Sequence, residues 1–360
     1  MTRDTQRGVQ GSPTASGGAQ GTDAAHPDAG RRPDPGPLLA LNFGFARARV
    51  LGTAVELGVF TELAGGPRPD GELASVLDCD TGALTRLLNA LADLDLVAGD
   101  EATGRRLTPL AEEYLVPGRP GDLGDHFTEV LDQWDNWARL TDAVRTGARG
   151  SRLGPPGERG RHPGMFAGAF PLAAPMAAAV VADLGLRPAG RVLDYTAGSG
   201  EWGIALAAAD PAAEVTAHDV PGLLEVARRH ASQSPAAAGR FSFVPGDFGP
   251  RQPFPDGTFD TVVMAHAGRF AGPRETARMI DGCARMLRPG GTLLFADIMR
   301  AGPGGPPLPR AMLDLSLLVN TPHGGLRDPA DCRAAMEQSG LVPKQTVTRG
   351  LVTALTGQRR

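Results

Sequence analysis

The sequence predicts an α/β protein, with a twisted, mainly parallel sheet in the C-terminal half and a smaller, mainly α-helical module ahead of it. Three observations carry this. From Arg191 onward, short β-rich apolar segments alternate with helical ones, the pattern of successive strand-helix-strand units. Arg191 to Ile204 reads R-V-L-D-Y-T-A-G-S-G-E-W-G-I: an apolar step ending in Asp194, a glycine turn at Gly198 and Gly200, and an alanine-rich helix from Trp202 to Ala209. Glycines in such a turn remove the Cβ that would block a ligand's approach, and the helix N-terminus presents its N–H groups. The 360 residues, finally, suffice for a large core and suggest two domains.

In chain order, Met1 to Pro37 is rich in Gly, Pro, Ser, Thr, Asp and Gln and nearly devoid of large apolar groups, so a disordered tail is expected. Leu38 to Leu63 reads as a helical region whose apolar residues, among them Leu41, Phe45, Ala48, Val55 and Val59, cover too much circumference for one buried face. Two short amphipathic helices follow, about Asp70–Leu77 and Thr81–Leu94, then Leu96-Val-Ala and Arg106-Leu-Thr, a winged helix-turn-helix pattern. Its candidate recognition helix shows little beyond Thr85, Arg86 and Asn89 and carries Asp93 and Asp95 at its end, whereas a DNA reader needs a basic stripe there. Phe127–Leu140 reads as an amphipathic connecting helix with Trp134 and Trp137 at i, i+3, either core or an aromatic wall for a flat substrate. Gly147–Gly160 is Gly/Arg/Pro-rich and expected to be a mobile loop, and a helix is expected over Leu172–Leu184.

Composition excludes several classes. A formal net charge of −4 and a pI near 6.0 argue against a protein that coats nucleic acid. Lys344 is the sole lysine, and with the Ala, Gly and Pro load this reads as GC-rich coding bias. Cys79, Cys283 and Cys332 are scattered, without C-x-x-C, which suits free thiols rather than a disulfide frame or a zinc site. No apolar run is read as approaching the ~20 residues of a membrane span, and no charged-then-apolar leader is seen, so the expected compartment is the cytoplasm.

The glycine turn alone admits two cofactors. Gly198-Ser-Gly200-Glu-Trp-Gly203 matches the dinucleotide fingerprint G-x-G-x-x-G, and the next strand, Glu214-Val-Thr-Ala-His-Asp219, ends in an acidic residue suited to ribose hydroxyls. The following segments separate them: Phe241-Ser-Phe-Val-Pro-Gly-Asp-Phe248, Phe259-Asp-Thr-Val-Val-Met-Ala-His266, a helix ending in Leu287-Arg-Pro-Gly-Gly291, and Thr292-Leu-Leu-Phe-Ala-Asp297. In order and spacing these resemble the motifs of class I S-adenosylmethionine-dependent methyltransferases. With the upstream wing, they resemble the dimeric small-molecule O-methyltransferases of the plant caffeate and bacterial polyketide-tailoring type.

The resemblance implies a Rossmann-like seven-stranded domain over 186–360, completed by an antiparallel hairpin, a winged-helix dimerisation domain over 38–118, and connecting helices over 119–185. It implies a homodimer, with S-adenosylmethionine as cofactor and a small-molecule acceptor; from charge, hydropathy and histidine spacing, neither nucleic acid, membrane nor metal is expected. Gly198 and Gly200 would admit the ribose and methionine portion, and Asp219, followed by Val220, would accept both ribose hydroxyls. Asp247 and Phe248 would meet the adenine, Met264 would line the same site, and Asp194 would brace the loop or the amino group. Acceptor-pocket candidates are Trp134, Trp137, Met165, Phe166, Phe170, Met312, Ser316 and Asn320.

The catalytic base is where the resemblance weakens. His266 in M-A-H-A-G-R-F is the candidate, yet counting back from Pro289-Gly-Gly291 puts the family's base position nearer Arg269, and the tryptophan and acidic residue of the family motif are missing. Arginine is a poor base but holds a carboxylate or an enolate well. Three readings follow: His266 is the base after a local shift, the reaction relies on positioning of an N-, C- or already acidic O-acceptor, or the fold serves decarboxylation, hydroxylation or cyclisation. His323 is an alternative base or, with His266 and His162, a metal ligand for which the spacing gives no support.

Overall fold

The helical region predicted over 38–63 is three helices: α1 (Gly36–Asn42), α2 (Gly44–Glu56) and α3 (Val59–Leu63), with Gly58 at φ +79° turning the chain between the last two. The structure, a computed structural model, describes residues 33–150, 162–188, 190–248, 254–300 and 310–360; the predicted tail before residue 33 and the Gly147–Gly160 loop beyond residue 150 lie outside them. The described residues up to Gly44 form one unit and Phe45 onward a second. Leu38, Leu39 and Leu41 of α1 are all exposed.

In the second unit, α4 (Asp70–Val76), α5 (Thr81–Asp93), a ribbon of β1 (Val97–Ala98) and β2 (Arg106–Leu107), and α6 (Pro109–Tyr114) build the winged module. Asp80 caps α5 by accepting from Ala83 N at 2.8 Å. Leu84, Leu88 and Leu91, one face of α5, pack with Val59, Phe60 and Leu73. A buried ion pair locks the ribbon down: Arg105 donates to Asp70 through Nε at 2.8 Å and Nη2 at 3.1 Å, and to Asn89 Oδ1 at 2.8 Å. Asn89, one of the few polar residues on the candidate recognition helix, is thereby tied to the wing.

The predicted helix over 127–140 is broken into α7 (Gly124–Leu131) and α8 (Trp134–Ala138), followed by α9 (Leu140–Thr146). Helix α10 runs Pro163–Asp183, starting well before Leu172 and passing through Pro171 and Pro175. Each proline removes one helical hydrogen bond, and packing on α7 and on α11 (Glu201–Ala209) sustains the helix regardless. At 21 residues and mean hydropathy 1.8 it is long and apolar enough to cross a membrane, as is Gly36–Glu56 at 1.2, which corrects the expectation that no run approaches that length.

The remaining elements are β3 (Gly190–Tyr195), β4 (Ala213–Asp219), α12 (Pro221–Gln233), β5 (Phe241–Pro245), β6 (Phe259–Ala265), α13 (Pro273–Met286), β7 (Leu287–Ile298), α14 (Arg310–Asn320), α15 (Pro329–Gln338), β8 (Leu341–Arg349) and β9 (Val352–Arg359). They form a seven-stranded sheet in the order β5-β4-β3-β6-β7-β9-β8, with β9 antiparallel to β7 and β8. Alternation along the strands fills both faces: Leu193, Tyr195 and Met264 pack on Met279, Ile280 and Cys283 of α13, while Val192, Val215 and Val263 pack on Trp202, Leu206 and Val180. Strand order reverses at β3, between β4 and β6, so the carboxyl ends of these strands border the crevice where open α/β sheets bind ligands.

Candidate active site

The crevice begins with a turn that only small residues can make. Gly198 and Gly200 have φ of +56° and +85°, and a Cβ on Gly200 would stand 3.3 Å from Ala227. Gly198 N donates to Asp219 Oδ2 at 2.9 Å, and Val220 N to Oδ1 at 2.8 Å, so both carboxylate oxygens of this fully buried residue are aimed by backbone. Asp194 braces the other side: its Oδ2 accepts from Gly203 N at 2.8 Å, pinning the first turn of α11. Phe166 on α10 covers the turn, with its Cδ1 3.7 Å from where a Gly198 Cβ would be, and Phe170 stacks on His230, whose Nδ1 faces Ser199 O at 2.9 Å.

Two candidates belong to the core instead. Met264 pairs in register with Tyr195 and is fully buried, because strand alternation turns both toward α13. Phe248 is buried against Tyr195 and His218, with ring centroids 5.0 and 5.5 Å away, while Asp247 beside it is exposed.

At the end of β6 lies a cluster the sequence had not assembled. Arg269 Nη1 is 2.7 Å from His266 Nδ1 and 2.6 Å from Asp297 Oδ1, and Arg269 N donates to Asp297 Oδ2 at 2.9 Å. Burial alone would raise the Asp297 carboxyl, but the Arg269 charge and the hydrogen bonds from Arg269 hold it at about 2. His266 sits at φ +54°, edge-on to Trp202 at 5.9 Å. Thr196, at the end of neighbouring β3, has φ +82°, rare for a β-branched residue, and its Oγ1 donates to Ala265 O at 2.9 Å.

On the acceptor side, α14 meets α8 through polar groups. Asn320 is fully buried, accepts from Asn136 Nδ2 at 2.8 Å and donates to Gln133 Oε1 at 2.7 Å and Ser316 O at 2.9 Å. Trp134, by contrast, is 44% exposed and packs edge-on to Phe45, and Trp137 is half-buried, so the face of α8 turned to α14 is that of Gln133 and Asn136. Met165 packs near Phe270, Leu317 and Leu326, whereas Met312 is 45% exposed. His323 is exposed, and His162 Nδ1 lies 3.1 Å from Glu129 Oε2; among the described residues no group of three metal-ligating side chains forms. The loop after α14 is clasped by three arginines on its backbone carbonyls: Arg149 on Gly324, Arg327 on Gly325 and Arg300 on Leu326. These line a cavity of about 480 Å³ between α13 and α15 that shares no residue with the glycine turn.

Comparison with known proteins identifies both domains. A methyltransferase domain model matches residues 192–291, and an O-methyltransferase dimerisation domain model matches residues 39–117. The chain is 28% identical over 332 residues to the tetracenomycin polyketide synthesis 8-O-methyl transferase TcmO of Streptomyces glaucescens, covering 87% of this chain and 93% of that protein. It is 28% identical over 294 residues to the 3-hydroxy-5-methyl-1-naphthoate 3-O-methyltransferase of Streptomyces sahachiroi, covering 80% and 84%. A solved O-methyltransferase family protein from Burkholderia thailandensis superposes with a TM-score of 0.76 at 25% identity, covering 91% of this chain and 99% of that one. Human N-acetylserotonin methyltransferase, solved in complex with S-adenosylmethionine, shares the fold at 21% identity and a TM-score of 0.76, covering 92% of this chain and 99% of that one. The chain therefore pairs an O-methyltransferase dimerisation domain with a methyltransferase domain behind it, as an S-adenosylmethionine-dependent O-methyltransferase.

Proposed function

We propose that the enzyme methylates a hydroxyl of a small aromatic, polyketide-type acceptor, working as a homodimer in the cytoplasm. The observation that carries the donor half is the Asp219 carboxylate, aimed by Gly198 N and Val220 N beside a turn bare of Cβ atoms. Asp219 takes the ribose hydroxyls, Gly198 and Gly200 admit the backbone-facing portion, and Phe166 covers it. When bound, S-adenosylmethionine supplies a methyl group activated by the sulfonium. What remains for the chain is to orient the acceptor and exclude water, which His266, Arg269 and the Asn320 network border. The acceptor class is supported by the relatives, named for tetracenomycin and hydroxynaphthoate methylation. The exposed leucines of α1, with Phe43, support a partner subunit as their cover.

Calorimetric titration with S-adenosylmethionine and S-adenosylhomocysteine, followed by transfer of labelled methyl to a panel of hydroxynaphthoates, tests this. Binding of both and label on an acceptor oxygen is the expected result. No binding of either sinks the reading.

A further inference from the structure

We infer that the acceptor arrives already ionised, as a ring hydroxyl conjugated with a carbonyl, and that His266 and Arg269 hold its anion, with His266 donating a hydrogen bond rather than taking a proton. The inference rests on the methyl-transfer reading and narrows its acceptor.

Arg269 fixes the roles of its neighbours. A guanidinium has five N–H donors, no acceptor, and a permanent charge. Its Nη1 lies 2.7 Å from His266 Nδ1, so Nδ1 is the accepting nitrogen. A neutral imidazole carries one N–H, which the hydrogen-bond network therefore assigns to Nε2. A histidine base working through Nε2 needs the opposite tautomer, with Nδ1–H given to a carboxylate. The carboxylate is present, yet His266 Nδ1 is 3.8 Å from Asp297 Oδ1, beyond hydrogen-bond reach, and Arg269 Nη1 bridges the two. Taking a second proton on Nδ1 would break the Arg269 bond. The arrangement is that of a donor.

A second observation points to the charge of the ligand. Arg269 commits both Nη1 hydrogens, one to His266 and one to Asp297. Its Nε–H and its two Nη2–H groups meet no acceptor among the described residues, on a side chain 14% exposed. Such a fork fits two oxygens side by side, one of them anionic, as in a phenolate beside its conjugated carbonyl. The hydroxyl proton leaves to solvent before binding. In the transfer the ionised oxygen forms the O–C bond as the S–C bond of the donor breaks, the electron pair of that bond stays on sulfur, and no proton passes to the protein.

Two measurements decide it. In protein labelled with ¹⁵N at histidine, the His266 signals are assigned by their loss in His266→Gln, and a long-range ¹H–¹⁵N spectrum near neutral pH reads the tautomer. Expected are a bare Nδ1 and a protonated Nε2, with Nδ1–H gaining population in Arg269→Met; a protonated Nδ1 and bare Nε2 in the wild type overturns the inference. In the second measurement, His266→Gln, which keeps an N–H donor, is compared with His266→Phe, which keeps the ring shape against Trp202, both shown by calorimetry to bind S-adenosylmethionine. On an acidic hydroxynaphthoate the Gln variant is expected to be at least about tenfold faster. Equal losses in both, of about 10²-fold or more, match a lost general base and overturn it. If the wild type binds no S-adenosylmethionine, the proposed function fails, while the spectrum still decides the tautomer.

Discussion

Replacing Asp297 by Asn tests the electrostatic centre of the site directly. Asp297 is fully buried and accepts three N–H groups, from Arg269 N, Arg269 Nη1 and Ile298 N. Breaking a buried ion pair costs about 3–5 kcal/mol, and the amide oxygen of Asn recovers about 1 kcal/mol as an acceptor, so a loss of about 2–4 kcal/mol is expected at neutral pH. The proton equilibrium gives a compatible figure: holding the carboxyl at about 2, against 3.8 for the free group, corresponds to about 2–3 kcal/mol. Because the folded state binds this proton more weakly than the unfolded one, the stabilisation is complete above about pH 4–5, roughly half gone near pH 3, and lost as pH falls through about 2. The assay is urea unfolding of wild type and Asp297→Asn at neutral pH, pH 5 and pH 3, in a Trp134→Phe/Trp137→Phe background, where the buried Trp202, edge-on to His266, reports. A gap between the two proteins below about 1 kcal/mol at neutral pH, or one that does not narrow between pH 5 and pH 3, refutes the reasoning.

Other predictions concern separate parts of the molecule. Asp219→Ala removes two charge-assisted acceptors at about 1.5–3 kcal/mol each, so calorimetry should show S-adenosylmethionine binding weakened by roughly 10²–10⁴-fold with the far-UV circular dichroism retained; less than tenfold argues against the ribose role. In the winged module, Asp70→Ala strands the buried Arg105 and is expected to cost about 3–5 kcal/mol in denaturant unfolding, while Asp70→Leu with Arg105→Met costs less than the single change. A double variant as unstable as the single one would show that the charges are not what matters there. Native protein should react with Ellman's reagent at Cys79 alone, since Cys283 and Cys332 are buried and burial pushes the Cys332 thiol up to about 12; all three should react after denaturation.

The cradle was legible in the sequence because its determinants are local. Gly198, Gly200 and the strand-end Asp194 and Asp219 lie where a turn or a strand terminus demands them, and alternating apolar segments set the order of the parallel strands. The reacting end was less so. His266 and Arg269 were named, but their joining to Asp297 depends on β6 and β7 being neighbours and on the turn after β6, which brings together atoms 28 residues apart. The tryptophans of α8 show a similar limit. Their spacing marks one face, yet which face of a five-residue helix meets α14 is settled by packing, and there it is Gln133 and Asn136. Proline misled over α10, since Pro171 reads as a boundary while tertiary contacts carry the helix through it.

The clasp on the loop after α14 bears on how freely this segment can change its sequence. Arg149, Arg300 and Arg327 grip the carbonyl oxygens of Gly324, Leu326 and Gly325, atoms that every amino acid possesses. The path of the loop is thus decoupled from the identity of its exposed side chains, such as His323. Mutational drift there can vary the chemistry displayed beside α14 while the scaffold beneath keeps its shape.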